Sequence, residues 1–105
     1  PYLTTYHALT ARCPDAQVVK CFNSTGYENM QNPDYGTHRL DLFMAGAFPL
    51  AKAKAKEFAL ALGFESCYDF GGEANVVLLE QFALSWINLA IMQGQGRDIA
   101  FKVIK

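Results

Sequence analysis

Residues 39–70 contain an apolar run, a helix-patterned stretch and a second, alternating run, and this order narrows the fold more than any other feature. RLDLFMA over 39–45 reads as a strand leaving through Gly46. Pro49 suits a first helical position and Gly63 a left-handed C-cap, so a helix is predicted over 49–62. Ala51, Ala55, Phe58 and Leu62 follow helical spacing toward a core, while Lys52, Lys54 and Lys56 read as a solvated face. FESCYDF over 64–70 alternates as a half-buried strand and ends in Gly71-Gly72. A strand–helix–strand unit of this length returns the second strand parallel to the first. The expected class is therefore α/β.

Upstream, a short helix is predicted over 2–12, stopped by Cys13-Pro14-Asp15, since proline cannot continue a helix and restricts the residue before it. Residues 16–22 show little alternation, as in a strand buried on both faces. That run stops at Asn23-Ser24-Thr25-Gly26. In open α/β sheets ligands lie beyond the carboxyl ends of the strands, which makes these four residues the candidate binding positions. Residues 23–38 form a long connection rich in turn residues, a type of loop that is usually functional or mobile. With no helix between the first two strands, an antiparallel relation is open to them. The expectation is a small mixed sheet of about three strands.

A long helix is predicted over 73–92, apolar around most of its circumference, with Gln81, Ser85 and Asn88 as one polar stripe. Glu73, Glu80 and that stripe argue against a membrane span. A helix apolar nearly all round is buried in a core or a partner, so burial against a missing domain or a second copy is expected. Gly94-Gln95-Gly96 should interrupt it, with helix resuming over 97–105.

The chain has 105 residues, 51% of them hydrophobic, enough for one domain with a real core. A net charge of -1 supplies no basic stripe for nucleic acid. Cys13, Cys21 and Cys67 are odd in number and widely spaced, which reads as three reduced thiols in a cytoplasmic protein. In that context the N-glycosylation sequon at Asn23-Ser24-Thr25 is accidental. His7 and His38 have no partner at metal spacing, and no metal site is expected. Cys21, inside an apolar run, reads as a small core residue. No catalytic residue is diagnosed by spacing. Pro1 in place of Met and an uncapped amphipathic end suggest that both ends are cut.

VVKCFNSTGYENM, LDLFMAG, ALGFESCYDFGG and SWINLAIMQGQGRDIAFKVI, in that order, resemble the C-terminal half of NADP-dependent oxidoreductases of the deazaflavin (coenzyme F-420) reductase type. That family includes predicted dinucleotide-binding enzymes and is related to the reductase domains of membrane ferric reductases. The resemblance runs from about Ala16 onward. It implies the C-terminal portion of a Rossmann-like three-layer domain, with residues 1–105 a fragment lacking the N-terminal dinucleotide-binding half. Consistently, the chain has no G-x-G-x-x-G after a strand. The resemblance further implies hydride transfer between NADP(H) and a small redox acceptor such as a deazaflavin or flavin. Asn23 would orient the carboxamide or acceptor ring, and Ser24, Thr25 and Gly26 would line the path of the hydride. Many members have a hydrophobic residue and a proline nearby, so the departure here leaves the acceptor open. Trp86 would pack beside the acceptor or form a subunit contact. An alternative of another class is a dimerisation or scaffold module that buries the 73–92 helix against a twin.

Overall fold

The computed structural model describes residues 2–105. Helix α1 spans Thr5–Arg12, with Thr4 as its cap: the threonine hydroxyl accepts from the His7 amide at 3.2 Å. The predicted crossover follows. Strand β1 (Asp41–Met44) is joined by helix α3 (Pro49–Ala61) to strand β2 (Ser66–Asp69), and the strands pair in parallel from Asp41 opposite Ser66 to Met44 opposite Asp69. Pro49 opens α3, and Gly63 follows it at φ 106°, a left-handed angle glycine adopts without cost.

All four β1 residues are buried because the sheet is covered twice. On one face Leu42 and Met44 pack with Ala59, Phe64 and Cys67 beneath α3. On the other, Phe43 and Ala45 pack with Tyr6, Val76 and Leu79 beneath helix α4 (Val76–Ile87). An aromatic cluster fills this second face, with Phe82 4.9 Å from Phe43 and 4.5 Å from Phe101, centroid to centroid.

Three expectations are corrected. Residues 16–22 form no strand. Among the described residues their only ladder contact is one antiparallel bridge, with Lys20 and Ala45 exchanging two 2.9 Å backbone bonds. The sheet thus has two parallel strands and an antiparallel fringe. The loop 23–38 contains a five-residue helix, α2 (Tyr27–Gln31), with Gly26 at its cap. Residues 97–105 are not helical. They run extended, held by the Val103 amide donating to Asp41 Oδ2 at 2.9 Å and Lys102 Nζ donating to the Arg39 carbonyl at 2.9 Å. Gly94 and Gly96 are left-handed, so the chain leaves the preceding helix turned away from its axis, and tertiary bonds override the amphipathic pattern.

The long helix is composite. A 3-10 turn (Glu73–Asn75) leads into α4, and a π turn (Asn88–Met92) ends it. By length and composition Glu73–Met92 is long and apolar enough to cross a membrane. Here Val76 and Leu79 pack on the sheet and Trp86 and Ala90 are also buried, whereas Leu78, Leu84, Ile91 and Met92 are exposed. Gln81, Ser85 and Asn88 lie on exposed positions, where Asn88 Oδ1 accepts from Gln93 Nε2 at 3.1 Å. The lysine face of α3 divides. Lys54 and Lys56 are exposed, but Lys52 pairs with Asp69 at 2.9 Å and donates to the Gly71 carbonyl at 3.3 Å. Phe58 and Leu62, expected in the core, are exposed, and Ala59 takes the buried position.

Candidate functional site

The segment leading into the four candidate residues is bent by Phe22, whose φ is 59°. A non-glycine residue in this left-handed region costs about 1–3 kcal/mol and persists only when its surroundings enforce it. The enforcement is aromatic: the Phe22 ring meets Phe58 at 6.0 Å and Phe64 at 6.3 Å, both edge to face. Because the Lys20–Ala45 bridge is antiparallel, the chain beyond it runs toward the amino end of β1. The carboxyl end of 16–22 and the amino ends of β1 and β2 therefore lie on the same side of the sheet.

Asn23 reaches across to α4. Its amide Nδ2 donates to the Leu79 carbonyl at 3.3 Å and to Glu80 Oε1 at 3.1 Å, and Glu80 is itself paired with Lys20 Nζ at 2.8 Å. Both partners are acceptors, which fixes the orientation of the amide. Its Oδ1 is left buried with no hydrogen-bond partner. Such an atom carries a desolvation cost of about 1–3 kcal/mol and is an available acceptor once a donor is brought to it.

Ser24, Thr25 and Gly26 are buried. The Thr25 hydroxyl donates to the Ile99 carbonyl at 2.9 Å. Asn29, from α2, donates to Thr25 Oγ1 at 2.7 Å, to the Arg97 carbonyl at 2.8 Å and to the Ile99 carbonyl at 3.1 Å. Trp86 Nε1 donates to the same Ile99 oxygen at 2.6 Å, and the Tyr35 hydroxyl donates to Asn29 Oδ1 at 2.6 Å. Burial, with the negative charge of Asp98 adding to it, pushes the Tyr35 hydroxyl above its ordinary value and keeps it a donor. Gly26 has an ordinary φ of -68°, so freedom of backbone angle is not its reason. A Cβ there would lie 2.7 Å from Glu28 Oε2 and 3.1 Å from the Trp86 ring. The carboxylate can swing away, but the buried, hydrogen-bonded indole cannot.

Outside this knot Arg97 stacks over Trp86 at 5.4 Å and grips Glu28 at 2.8 and 3.1 Å. The guanidinium bonds hold the Glu28 carboxyl below its ordinary value. A carboxyl lowered in the folded state contributes stability that is present above its unfolded pKa and lost as pH falls through the folded one. The wild type and Glu28→Gln should therefore differ in urea midpoint at neutral pH and converge in acid, below the ordinary glutamate pKa of about 4.3.

Asn29, Tyr35 and Arg97 are the contributors that sequence reasoning missed. Asn29 lay among turn residues with no periodicity to mark it, and Arg97 lay in a stretch read as helix. His7 is tied to the α1 cap through Thr4 Oγ1 at 2.7 Å, and His38 is an exposed loop residue. Among the described residues no three His, Cys, Asp or Glu side chains are grouped to hold a metal. Beside the knot lies an open, mainly apolar groove of about 310 Å³ whose walls include Tyr35, Leu40, Asp98 and Ile99.

The architecture is mixed α/β, a small parallel two-stranded sheet covered by helices. Among solved structures the chain is similar to one from Arthrobacter sp. FB24, provisionally described as an F420-dependent NADP-reductase. The TM-score is 0.83 and the identity 24%, over 95% of this chain and 46% of that one. The chain thus spans under half the length of that neighbour. No family model matches it, and no curated protein does.

Proposed function

We propose that this chain is the acceptor-side half of an NADP-dependent oxidoreductase, passing hydride between NADP(H) and a small redox acceptor of the deazaflavin or flavin type. The observation that carries the reading is the likeness in fold, across 95% of the chain, to a protein described as an F420-dependent NADP-reductase. The residues fit a positioning role. Asn23 offers an unused carboxamide oxygen at the carboxyl end of the segment that the left-handed Phe22 aims. Ser24, Thr25 and Gly26 form the rigid turn behind it, tied to the C-terminal stretch through Ile99. The dinucleotide would be held chiefly by a preceding half, with this chain contributing orientation and exclusion of water. The cofactor supplies the hydride chemistry. In this reading the protein works in the cytoplasm, with its cysteines free thiols at rest.

Calorimetric titration of NADP+ and NADPH tests this, both into this chain alone and into one extended by a dinucleotide-binding half. Binding is expected only to the longer protein, and binding to neither would remove the oxidoreductase reading. In the longer protein Asn23→Ala should weaken nicotinamide binding about tenfold, the loss of about 1.4 kcal/mol that one ligand hydrogen bond supplies.

A second reading, a homodimer or scaffold built on the 73–92 helix, is favoured by the exposed stripe Leu84, Ile87 and Ile91, at helical spacing. Leu84 is 62% exposed, so Leu84→Glu with Ile91→Glu leaves the core intact. A dimer through this face should become monomeric in sedimentation, and an unchanged oligomer would refute it. Trp86 and Phe82 are unsuited to this test because both belong to the packed interior.

A further inference from the structure

Two thiols remain outside the polar knot. Cys21 Sγ and Cys67 Sγ come from segments 46 residues apart in sequence and meet at 3.7 Å. Cys67 is buried in β2, whereas Cys21 is partly exposed and lies in the wall of an open groove with Thr5, Tyr6, Leu9 and Lys20. The groove gives a small solute a route to Cys21. Closing the pair needs a local shift at Cys21, whose segment pairs with β1 at Lys20 and packs on the core through Val19, Cys21 and Phe22.

We propose that Cys21 and Cys67 are an oxidation site, at which a hydroperoxide closes the pair into an intramolecular disulfide. In the first step the Cys21 thiolate attacks the peroxide, the O–O bond breaks, and Cys21 becomes a sulfenic acid as an alcohol or water leaves. In the second the Cys67 sulfur attacks Cys21 Sγ, the S–O bond breaks, and water departs with the Cys67 proton. The two thiols together lose two electrons and the peroxide gains them. The roles follow from the contact. Either sulfur can donate across the 3.7 Å contact; with Cys67 as donor the bond holds the Cys21 thiol below its ordinary value, and the same bond together with burial pushes Cys67 up. Cys21 is thus the accessible attacking group and Cys67 the resolving one. The bridge would span β1 and fasten the residue preceding Phe22-Asn23 to β2.

The test uses a Cys13→Ser background, which removes the exposed third thiol. The protein is treated with hydrogen peroxide, denatured, alkylated and weighed intact. The expected product is a monomer lighter by two hydrogens, with alkylatable thiols falling from two to none and returning to two with dithiothreitol. Peptide mapping should join the segments holding Cys21 and Cys67. Added oxygen on either cysteine without loss of the two hydrogens would overturn the proposal, as would two thiols still alkylatable or a disulfide-linked dimer. Cys67→Ala in the same background should instead accumulate oxygen on Cys21. If that variant does not fold, the mass change of the Cys13→Ser protein decides alone.

Discussion

Trp86→Ala should lower the unfolding free energy by about 3–5 kcal/mol, the range for deleting a buried indole. That is a large share of the 5–15 kcal/mol typical of a folded domain. The ring is buried, walls in Gly26 and supports the Arg97 guanidinium. Trp86→Phe separates packing from hydrogen bonding. It keeps most of the apolar volume and removes only the donor to Ile99, whose carbonyl still accepts from Thr25 and Asn29. No buried acceptor is orphaned, so the phenylalanine variant should lose about 1 kcal/mol from this bond. Urea unfolding measures both, and an alanine variant within 1 kcal/mol of wild type would refute the structural role given to the indole.

Lys102→Met should be nearly as damaging, through a different physical cause. The Asp41 side chain is 1% exposed, and Lys102 Nζ stands 3.5 Å from its Oδ1. Removing the ammonium leaves a buried carboxylate with only the Val103 amide, among the described residues, to stabilise it, a loss of about 3 kcal/mol. Asp41→Asn keeps an acceptor for that amide and removes the charge, so its cost should be about 1 kcal/mol. The double variant should be more stable than Lys102→Met alone, because its second change removes the charge that the first left uncompensated. A double variant in which the two costs simply add would show that the pair is not coupled. The Arg97–Glu28 pair, nearly half exposed on both sides, should matter far less.

Much of the fold was legible where local chemistry and tertiary demand agree. Pro49 and Gly63 bracket α3, and the apolar run 39–45 contains β1, because proline and glycine act on the backbone directly. The misreadings arose where a distant contact decides. Residues 16–22 have strand composition, but only Lys20 finds a ladder partner among the described residues. Residues 97–105 have helical patterning, yet the Asp41 carboxylate and the donors converging on Ile99 hold them extended. At the candidate site, the break after Phe22 and the choice of Asn23 to Gly26 could be read from turn chemistry. The support from Asn29, Tyr35 and Arg97 could not, since it joins residues up to 70 positions apart. Glycine at 26 was legible as a turn residue but not for its reason, which is the Trp86 ring beside it.

The Ile99 carbonyl, shared by donors from the loop, from α2 and from α4, bears on how the molecule opens. A terminal stretch usually frays residue by residue, each step releasing one bond. Here separation of a single backbone oxygen takes a bond from a threonine, an asparagine and a tryptophan together. The last seven residues, the candidate turn and the end of α4 therefore form one cooperative opening unit. Amide protons across all three should share a single exchange free energy, with no gradient running in from the C-terminus.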